Sequence, residues 1–118
     1  MRDGIILSAK EKEFFEAYCE AIDFTETGDT DQAPSGAALD EDFERESMID
    51  CLGFYSRIEC YLSDDHISQA GHDFWLTRNG HGTGFWDRDK SVYGDHSARF
   101  TGLAKEYGET HAYFEDYM

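Results

Sequence analysis

A chain of 118 residues that is 40% hydrophobic and 15% aromatic has the length and composition of one folded domain with its own core. Its 26 acidic residues against 10 basic ones give a formal net charge of −16, which opposes binding to nucleic acid or anionic membranes because their phosphates are repelled. No apolar run approaches the ~20 residues that cross a bilayer, no export signal begins the chain, and Cys19, Cys51 and Cys60 form no CxxC pair, so we expect a soluble cytoplasmic protein.

The first predicted helix begins at Ser8, because Ser8 and Glu11 have the spacing of a capping box. Apolar residues then recur every three or four positions, and the helix is predicted to end near Phe24. Residues 25–38 contain Pro34 and almost no apolar bulk, which predicts a loop. The side of the helix opposite the apolar residues carries Glu13, Glu16, Glu20 and Asp23.

A second helix is predicted over about residues 40–62. Asp40, Glu41 and Asp42 suit its first turn, where carboxylates meet the positive end of the helix dipole, and apolar residues follow at helical spacing. Gly53 in the helix interior costs about 1 kcal/mol relative to alanine, so we expect a close helix contact or a bend there.

The pattern then changes to one typical of strands and turns. Phe74–Arg78 and Thr83–Trp86 are rich in aromatic residues and flank Asn79-Gly80, a dipeptide suited to a type I′ turn. These features predict a β-hairpin.

The end of the chain predicts a third helix over about Asp95–Tyr107, stopped by Gly108, and a third strand over Thr110–Phe114. The order helix, helix, strand, strand, helix, strand predicts one α+β domain over residues 1–118 with a small antiparallel sheet.

The predicted hairpin also contains most of the side chains that could bind a ligand or take part in catalysis. A phosphate loop is not favoured, since the glycines at 80, 82 and 84 do not form G-x-G-x-x-G. A shared metal ion is not favoured either, because an extended hairpin separates His72 and His81 by roughly 15 to 20 Å. The cysteines lie on apolar helix faces or lack a basic neighbour. We therefore expect no enzyme activity, no cofactor and no metal, and the candidate hairpin site consists of His72, Asp73, Trp75, Arg78, Asn79, His81, Trp86 and Asp87.

Acidity is the strongest functional indication in the sequence. From Glu11 to Asp50 there are 14 acidic residues and two basic ones, Lys12 and Arg45. A ~35 Å length of duplex carries roughly 20 charges, comparable to this net charge, so two acidic helices could present a phosphate-like array to a basic protein groove. The alternative is a solvated face that serves solubility or adaptation to high salt. The expected contact residues are Glu13, Glu16, Glu20, Asp23, Asp40, Glu41, Asp42, Glu44, Glu46 and Asp50.

The string from Ala70 to Arg88, AGHDFWLTRNGHGTGFWDR, resembles a family of small uncharacterised bacteriophage proteins that carry a nearly identical string. The likeness extends more weakly to the aromatic helix around Phe14 to Phe24 and to the closing pattern from Leu103 to Gly108. The middle of the chain departs freely from the family pattern. Members have no agreed activity, so the resemblance implies a phage setting.

Small acidic phage proteins are often inhibitors that imitate nucleic acid, and this analogy does not depend on fold. We therefore expect a phage accessory protein in the host cytoplasm, acting as a DNA mimic such as an anti-CRISPR or anti-restriction factor. Its expected partner is a basic surface of a host defence or nucleic-acid-processing protein, and homodimerisation stays open. The alternative is a non-enzymatic phage protein whose glycine- and aromatic-rich hairpin binds a small ligand or another subunit, with the acidity incidental.

Overall fold

The computed structural model describes residues 7–26 and 39–113. Four α-helices of ten or more residues lie there: α1 (Ala9–Glu26), α2 (Glu41–Ile58), α3 (Ile67–Arg78) and α5 (Ser97–Glu106), with the single-turn α4 (Lys90–Tyr93) before the last. Short 3-10 turns occur at Glu59–Tyr61, Asp64–His66, Phe85–Asp87 and Gly94–His96. These described residues contain no β-strand, so the predicted α+β class is wrong and this part of the chain is helical.

The start of α1 confirms the predicted capping box. The Ser8 amide donates to Oε1 of Glu11 over 2.8 Å, and the Glu11 amide donates to the Ser8 hydroxyl oxygen over 3.2 Å. The helix continues two residues beyond Phe24, so positions 25 and 26 of the predicted loop are helical, while 27–38 lie outside the described residues.

The second helix is confirmed with a shorter span. Oδ2 of Asp40 accepts from the amides of Asp42 and Phe43, which satisfies two free donors at the start of α2. The α-helix ends at Ile58, and a 3-10 turn carries the chain to Tyr61. Gly53 lies in close contact with the chain after α5, because a Cβ there would be 3.0 Å from the Tyr107 hydroxyl.

α1 and α3 run parallel and cross closely. Glu13 contacts Ser68 near their starts, and Thr25 contacts Trp75 near their ends. Gly71 lies at the crossing, where α3 faces the backbone of α1 with no side chain between them.

Gly71→Ala is expected to lower the free energy of unfolding by about 2 kcal/mol. The new Cβ would overlap the carbonyl oxygen of Phe14 and lie 2.9 Å from the Cβ of Ala17, and backbone cannot turn aside as a flexible side chain can. Gly102→Ala is the matched control, because a Cβ at this exposed α5 position meets nothing within 4 Å and helix propensity predicts a gain of about 1 kcal/mol. Urea unfolding checks both, and a neutral Gly71→Ala would contradict the close crossing.

α2 runs antiparallel to α3 and supplies the centre of an aromatic core. The rings of Phe54 and Phe74 stack with centroids 4.1 Å apart, and further along Asp50 of α2 meets Arg78 of α3. Phe14 of α1 lies 6.1 Å from Phe54, and all three phenylalanines are fully buried. Such aromatic pairs contribute about 0.5–1.5 kcal/mol each beyond their buried area.

The predicted hairpin turn is the carboxyl end of a helix. Gly80 adopts a φ of +66°, its amide donates to the carbonyl of Thr77, and the His81 amide donates to the carbonyl of Leu76. Those two hydrogen bonds form a Schellman motif, in which a glycine just past the helix accepts the left-handed conformation. Asn79-Gly80 therefore terminates α3 and does not join two strands.

The other predicted strands are also absent from the described residues. Phe85–Asp87 forms a 3-10 turn, and the Phe85 amide donates to Oγ1 of Thr77 over 3.2 Å. Residues 110–113 form no regular element, and Phe114 lies outside the described residues. A backbone hydrogen bond joins the Asp40 amide to the carbonyl of Tyr113 over 2.8 Å. The predicted helix over Asp95–Tyr107 is confirmed as α5.

Candidate functional site

Asp73 is a fully buried carboxylate in the middle of α3. Arg88 binds it through two guanidinium nitrogens, at 3.1 Å from Nε and 2.6 Å from Nη2. The Tyr93 hydroxyl donates to its other oxygen over 2.6 Å, and the Gln69 amide donates over 3.2 Å. Hydrogen bonds with Asp73 raise the pKa of Arg88, and burial followed by the Asp73 charge raises that of Tyr93. Arg88 is thus held in its charged form and Tyr93 in its neutral form.

Arg78 forms a second network at the end of α3, and only 6% of the residue is exposed. Its Nε donates to the carbonyl of Gly108 over 2.8 Å and its Nη2 donates to that of Tyr107 over 3.1 Å. Its Nη1 donates to the Tyr18 hydroxyl and to Oδ2 of Asp50, over 3.1 and 3.0 Å. Arg78 therefore joins α1, α2 and the chain that follows α5.

Trp75 and Asn79 also serve the fold. The buried Trp75 indole donates to Oγ1 of Thr25 over 2.8 Å. The Asn79 amide donates to the carbonyl of Trp75, and its Oδ1 accepts from the amide of Thr110. His72 lies at the α1–α3 boundary, with Nε2 at 3.2 Å from a carboxylate oxygen of Glu20.

His81, Trp86 and Asp87 are the exposed members of the predicted hairpin site. The His81 ring lies 6.4 Å from that of Trp75, and Oδ2 of Asp87 accepts from the Thr83 hydroxyl. The ligand hypothesis needs Trp75, Arg78 and His81 to border an open site, but Trp75 and Arg78 are buried with their polar atoms bonded. The eight residues of the predicted hairpin site therefore do not lie together, since some are in the core and others are at the surface.

The acidic residues of α1 occupy its solvent side. Glu13, Glu16 and Glu20 are exposed, and Asp23 is half-buried. At about 1.5 Å of rise per residue the three glutamates cover about 10 Å, or one charge per ~5 Å, against one per ~3.4 Å along a DNA strand. The Ser68 hydroxyl donates to Oε2 of Glu13 over 2.9 Å, which steadies one end of this row. We call Glu13, Glu16 and Glu20 the α1 acidic face.

The acidic residues of α2 are divided between structure and surface. Asp40 caps the helix, Asp42 pairs with Arg45 over 2.9 Å, and Asp50 pairs with Arg78. Glu44 is half-buried, and both Glu41 and Glu46 are exposed. The ten predicted contact residues therefore do not form one array, since Asp40, Asp42 and Asp50 are bound within the domain.

Basic side chains in the described part of the chain are largely occupied by carboxylates. The partners range from the buried Asp73 to exposed residues such as Asp64, Glu106 and Asp95. The basic members of the pairs are Lys10, Arg45, Arg57, Arg78, Arg88 and Lys90.

The thiols do not form a reactive centre. Burial raises the pKa of Cys51, and burial together with the charges of Glu16 and Glu20 raises that of Cys19 to about 12. Cys60 is exposed. Residues 7–26 and 39–113 contain no group of three or more His, Cys, Asp or Glu placed to hold a metal ion. None of the helices in these ranges has the length and apolar character needed to span a bilayer.

Stability is expected to fall as the pH rises above about 8.5, the pKa of a thiol in an unfolded chain. The unfolded state then loses protons that folded Cys51 and Cys19 retain, and each such thiol lowers the free energy of unfolding by about 1.4 kcal/mol per pH unit. The raised pKa values of Tyr18 and Tyr93 add to this loss above about pH 10. Urea unfolding between pH 8 and pH 10 should show a smaller slope for Cys51→Ala than for the natural chain, and equal slopes would contradict the assignment.

No family model, curated protein or solved structure matches the chain. Functional inference therefore rests on the residues themselves. Sequence reasoning missed Tyr93, Gln69 and Tyr18, whose polar atoms complete the two networks. Tyr18 and Tyr93 lie 60 and 20 residues from their partners, and no local spacing indicates such pairs.

Proposed function

We propose that this protein binds a basic surface of another protein through the α1 acidic face and carries out no chemistry of its own. The observation that carries the proposal is the arrangement of Glu13, Glu16 and Glu20, which share the solvent side of one helix. The opposite side, with Phe14 and Tyr18, is fully buried. A rigid helix therefore presents the three carboxylates in fixed order.

Charge supports this interaction over contact with nucleic acid. The formal net charge is −16, and the nearest charged partners of the α1 acidic face are few. His72 approaches Glu20, while Lys10 at the start of the helix is paired with Asp64. Complementary potential speeds encounter with a basic partner and rejects anionic ones.

We propose that the protein has no catalytic activity because the polar groups best suited to catalysis are buried and hydrogen-bonded within the domain. Asp73, Tyr93 and Arg78 are buried, and their hydrogen-bonding atoms face partners inside the domain. A general acid or base must reach a substrate proton, and the hydrogen-bonding atoms of these groups are taken up by partners inside the domain, such as Arg88, Tyr18 and Asp50.

The biological setting in the proposal comes from the resemblance to small phage proteins. In that setting the partner is a host defence or nucleic-acid-processing protein whose groove normally holds phosphates, and this protein acts as a DNA mimic of the anti-CRISPR or anti-restriction kind. The charge spacing on α1, within a factor of two of a DNA strand, supports that comparison.

The test compares two triple variants of equal net charge. One neutralises the face as Glu13→Gln, Glu16→Gln and Glu20→Gln; the control neutralises three exposed acidic residues elsewhere, as Glu59→Gln, Asp65→Asn and Glu109→Gln. Each immobilised protein captures partners from a bacterial lysate, and affinity for the captured protein is then measured over a salt series. We expect the face variant to bind about tenfold more weakly and with a shallower salt dependence.

Equal weakening by the two triple variants would contradict the proposal, because the acidity would then act only as an overall field. Capture that persists unchanged in high salt would contradict it as well, since screening lengths shorten from about 10 Å at 0.1 M to about 3 Å at 1 M. Urea midpoints of all three proteins show whether any loss of binding comes from unfolding.

A further inference from the structure

Trp86 is a large apolar side chain that the fold leaves in solvent. It is 46% exposed, whereas Phe74, Trp75 and Phe85 of the same string are buried. Phe85 and Trp86 are adjacent in the 3-10 turn Phe85–Asp87, and the turn sends the first ring into the core and the second outward. Packing of the described domain thus accounts for Phe85 but not for the aromatic character of Trp86.

The turn also holds the Trp86 ring in place. Phe85 is anchored against Tyr93 and Phe100, with ring centroids 5.2 and 5.5 Å away. A Cβ on Gly84 would lie 2.7 Å from a carbon of the Trp86 ring, so the indole rests on the glycine backbone. A side chain ordered before binding loses little entropy when it binds.

The surface beside Trp86 is acidic. Asp87 and Asp89 are both exposed, and Asp87 uses one oxygen to accept from the Thr83 hydroxyl over 2.8 Å. The basic residues between and after them have other main partners: Arg88 binds Asp73, although its charge also acts on Asp87, and Lys90 pairs with Asp95 over 3.2 Å. An exposed indole flanked by carboxylates is complementary to a cation.

We infer that Trp86 and Asp87 form a binding site for an arginine side chain of a basic partner protein. The guanidinium plane lies over the indole face, and an N–H group donates to the Asp87 carboxylate. Arginine fits better than lysine because its planar, weakly hydrated group stacks on aromatic rings and donates in a fixed fork.

This site is separate from the α1 acidic face. The 3-10 turn that carries Trp86 packs on α3 and α5, and the α1 glutamates lie on another helix. The inference therefore does not depend on the proposed function, and the two can fail independently.

The experiment uses the whole protein and three short neutral-capped peptides that differ in one position, which is arginine, lysine or glutamine. The chain has two tryptophans, so the exposed Trp86 indole N–H can be followed by NMR beside the buried Trp75 indole as an internal reference. We expect the arginine peptide to shift the Trp86 signal, the lysine peptide to do so more weakly and the glutamine peptide to have no effect.

Variants locate the site. Trp86→Ala is expected to weaken binding of the arginine peptide by about 2- to 30-fold, the range of cation–π energies, and Trp86→Phe by less. Asp87→Asn should weaken it by up to about 5-fold. Asp65→Asn removes one exposed charge outside both proposed sites and should leave the peptide affinity unchanged.

Equal binding of the glutamine and arginine peptides would overturn the inference, as would equal losses from Asp87→Asn and Asp65→Asn. Unchanged affinity in both Trp86 variants would do the same. Trp86→Phe keeps a ring over Gly84, so it tests the site even if Trp86→Ala is poorly folded. The α1 triple variant should retain the Trp86 shift, which separates this site from the proposed partner surface.

Discussion

Asp73→Asn is expected to lower the free energy of unfolding by about 3 kcal/mol, because it leaves the Arg88 guanidinium, whose side chain is only 26% exposed, without the charge of its bidentate partner. Asparagine keeps the volume of the side chain, so a cavity cannot account for the loss. It also turns a group that only accepts hydrogen bonds into one with two N–H donors, which face the donors of Arg88 and Tyr93. Small domains have only about 5–15 kcal/mol of stability, so urea unfolding should detect the change readily.

A set of partner variants tests whether the Asp73 network acts as a unit. Arg88→Met should cost a similar amount, since it leaves a fully buried carboxylate with only neutral partners. The double variant Asp73→Leu with Arg88→Met should cost less than the sum, because a buried ion pair can often be replaced by apolar groups with little loss. Additive losses would contradict the coupling of the two charges.

Arg78→Lys is expected to cost about 2–4 kcal/mol, although the positive charge is kept. The ammonium cannot reach the Tyr18 hydroxyl, the Asp50 carboxylate and the two carbonyls of residues 107 and 108 from one position, as the planar guanidinium does. Urea unfolding measures the loss. Hydrogen exchange should also become faster at the Thr110 amide, because this segment is held against α3 beside Arg78.

Arg45→Lys is the control for the Arg78 prediction. Arg45 pairs with Asp42 at the surface of α2, where exposed ion pairs contribute about 0–1 kcal/mol. The same substitution should therefore change stability by less than about 0.5 kcal/mol there. A comparable loss of stability at both positions would show that the planar geometry of the Arg78 guanidinium is unimportant.

The sequence predicted the two amino-terminal helices and α5 because each has one apolar and one polar side. At the start of α1, Ser8 and Glu11 lie within one turn of each other, so their capping box forms from local geometry alone. Such signals depend only on neighbouring residues, so they can be recognised in the sequence without knowledge of the rest of the fold.

The second half of α3, Phe74–Arg78, was wrongly predicted as a strand because it is buried on several sides. Phe74 meets Phe54 of α2, Trp75 meets Thr25 of α1, and Asp73 faces Arg88 after the helix. A helix without a polar face has no visible 3.6-residue period, and its aromatic composition resembles that of a strand. The following Asn-Gly dipeptide suits a hairpin turn and a helix terminus equally well, and only the surrounding structure distinguishes them.

The sequence showed where the acidic residues are concentrated, but it did not show which of them are bound within the domain and which face solvent. Asp40, Asp42 and Asp50 make specific contacts within the domain, and the row Glu13, Glu16 and Glu20 remains in solvent. Asp42 is bound by Arg45 three residues away and Asp40 by two backbone amides of its own helix, whereas Asp50 is bound by Arg78, which is 28 residues away in sequence.

By itself the sequence determined the size of the domain, its strong negative charge and the helices whose amphipathic pattern and caps are local. Tertiary structure alone decided that α3 is a helix, that Arg78 and Asp73 are buried polar centres and that Trp86 faces solvent. The physical reason is the range of the interactions involved. Caps and helical periods join residues three or four apart, whereas Arg78 reaches Tyr18 across 60 positions and Asp73 reaches Tyr93 across 20.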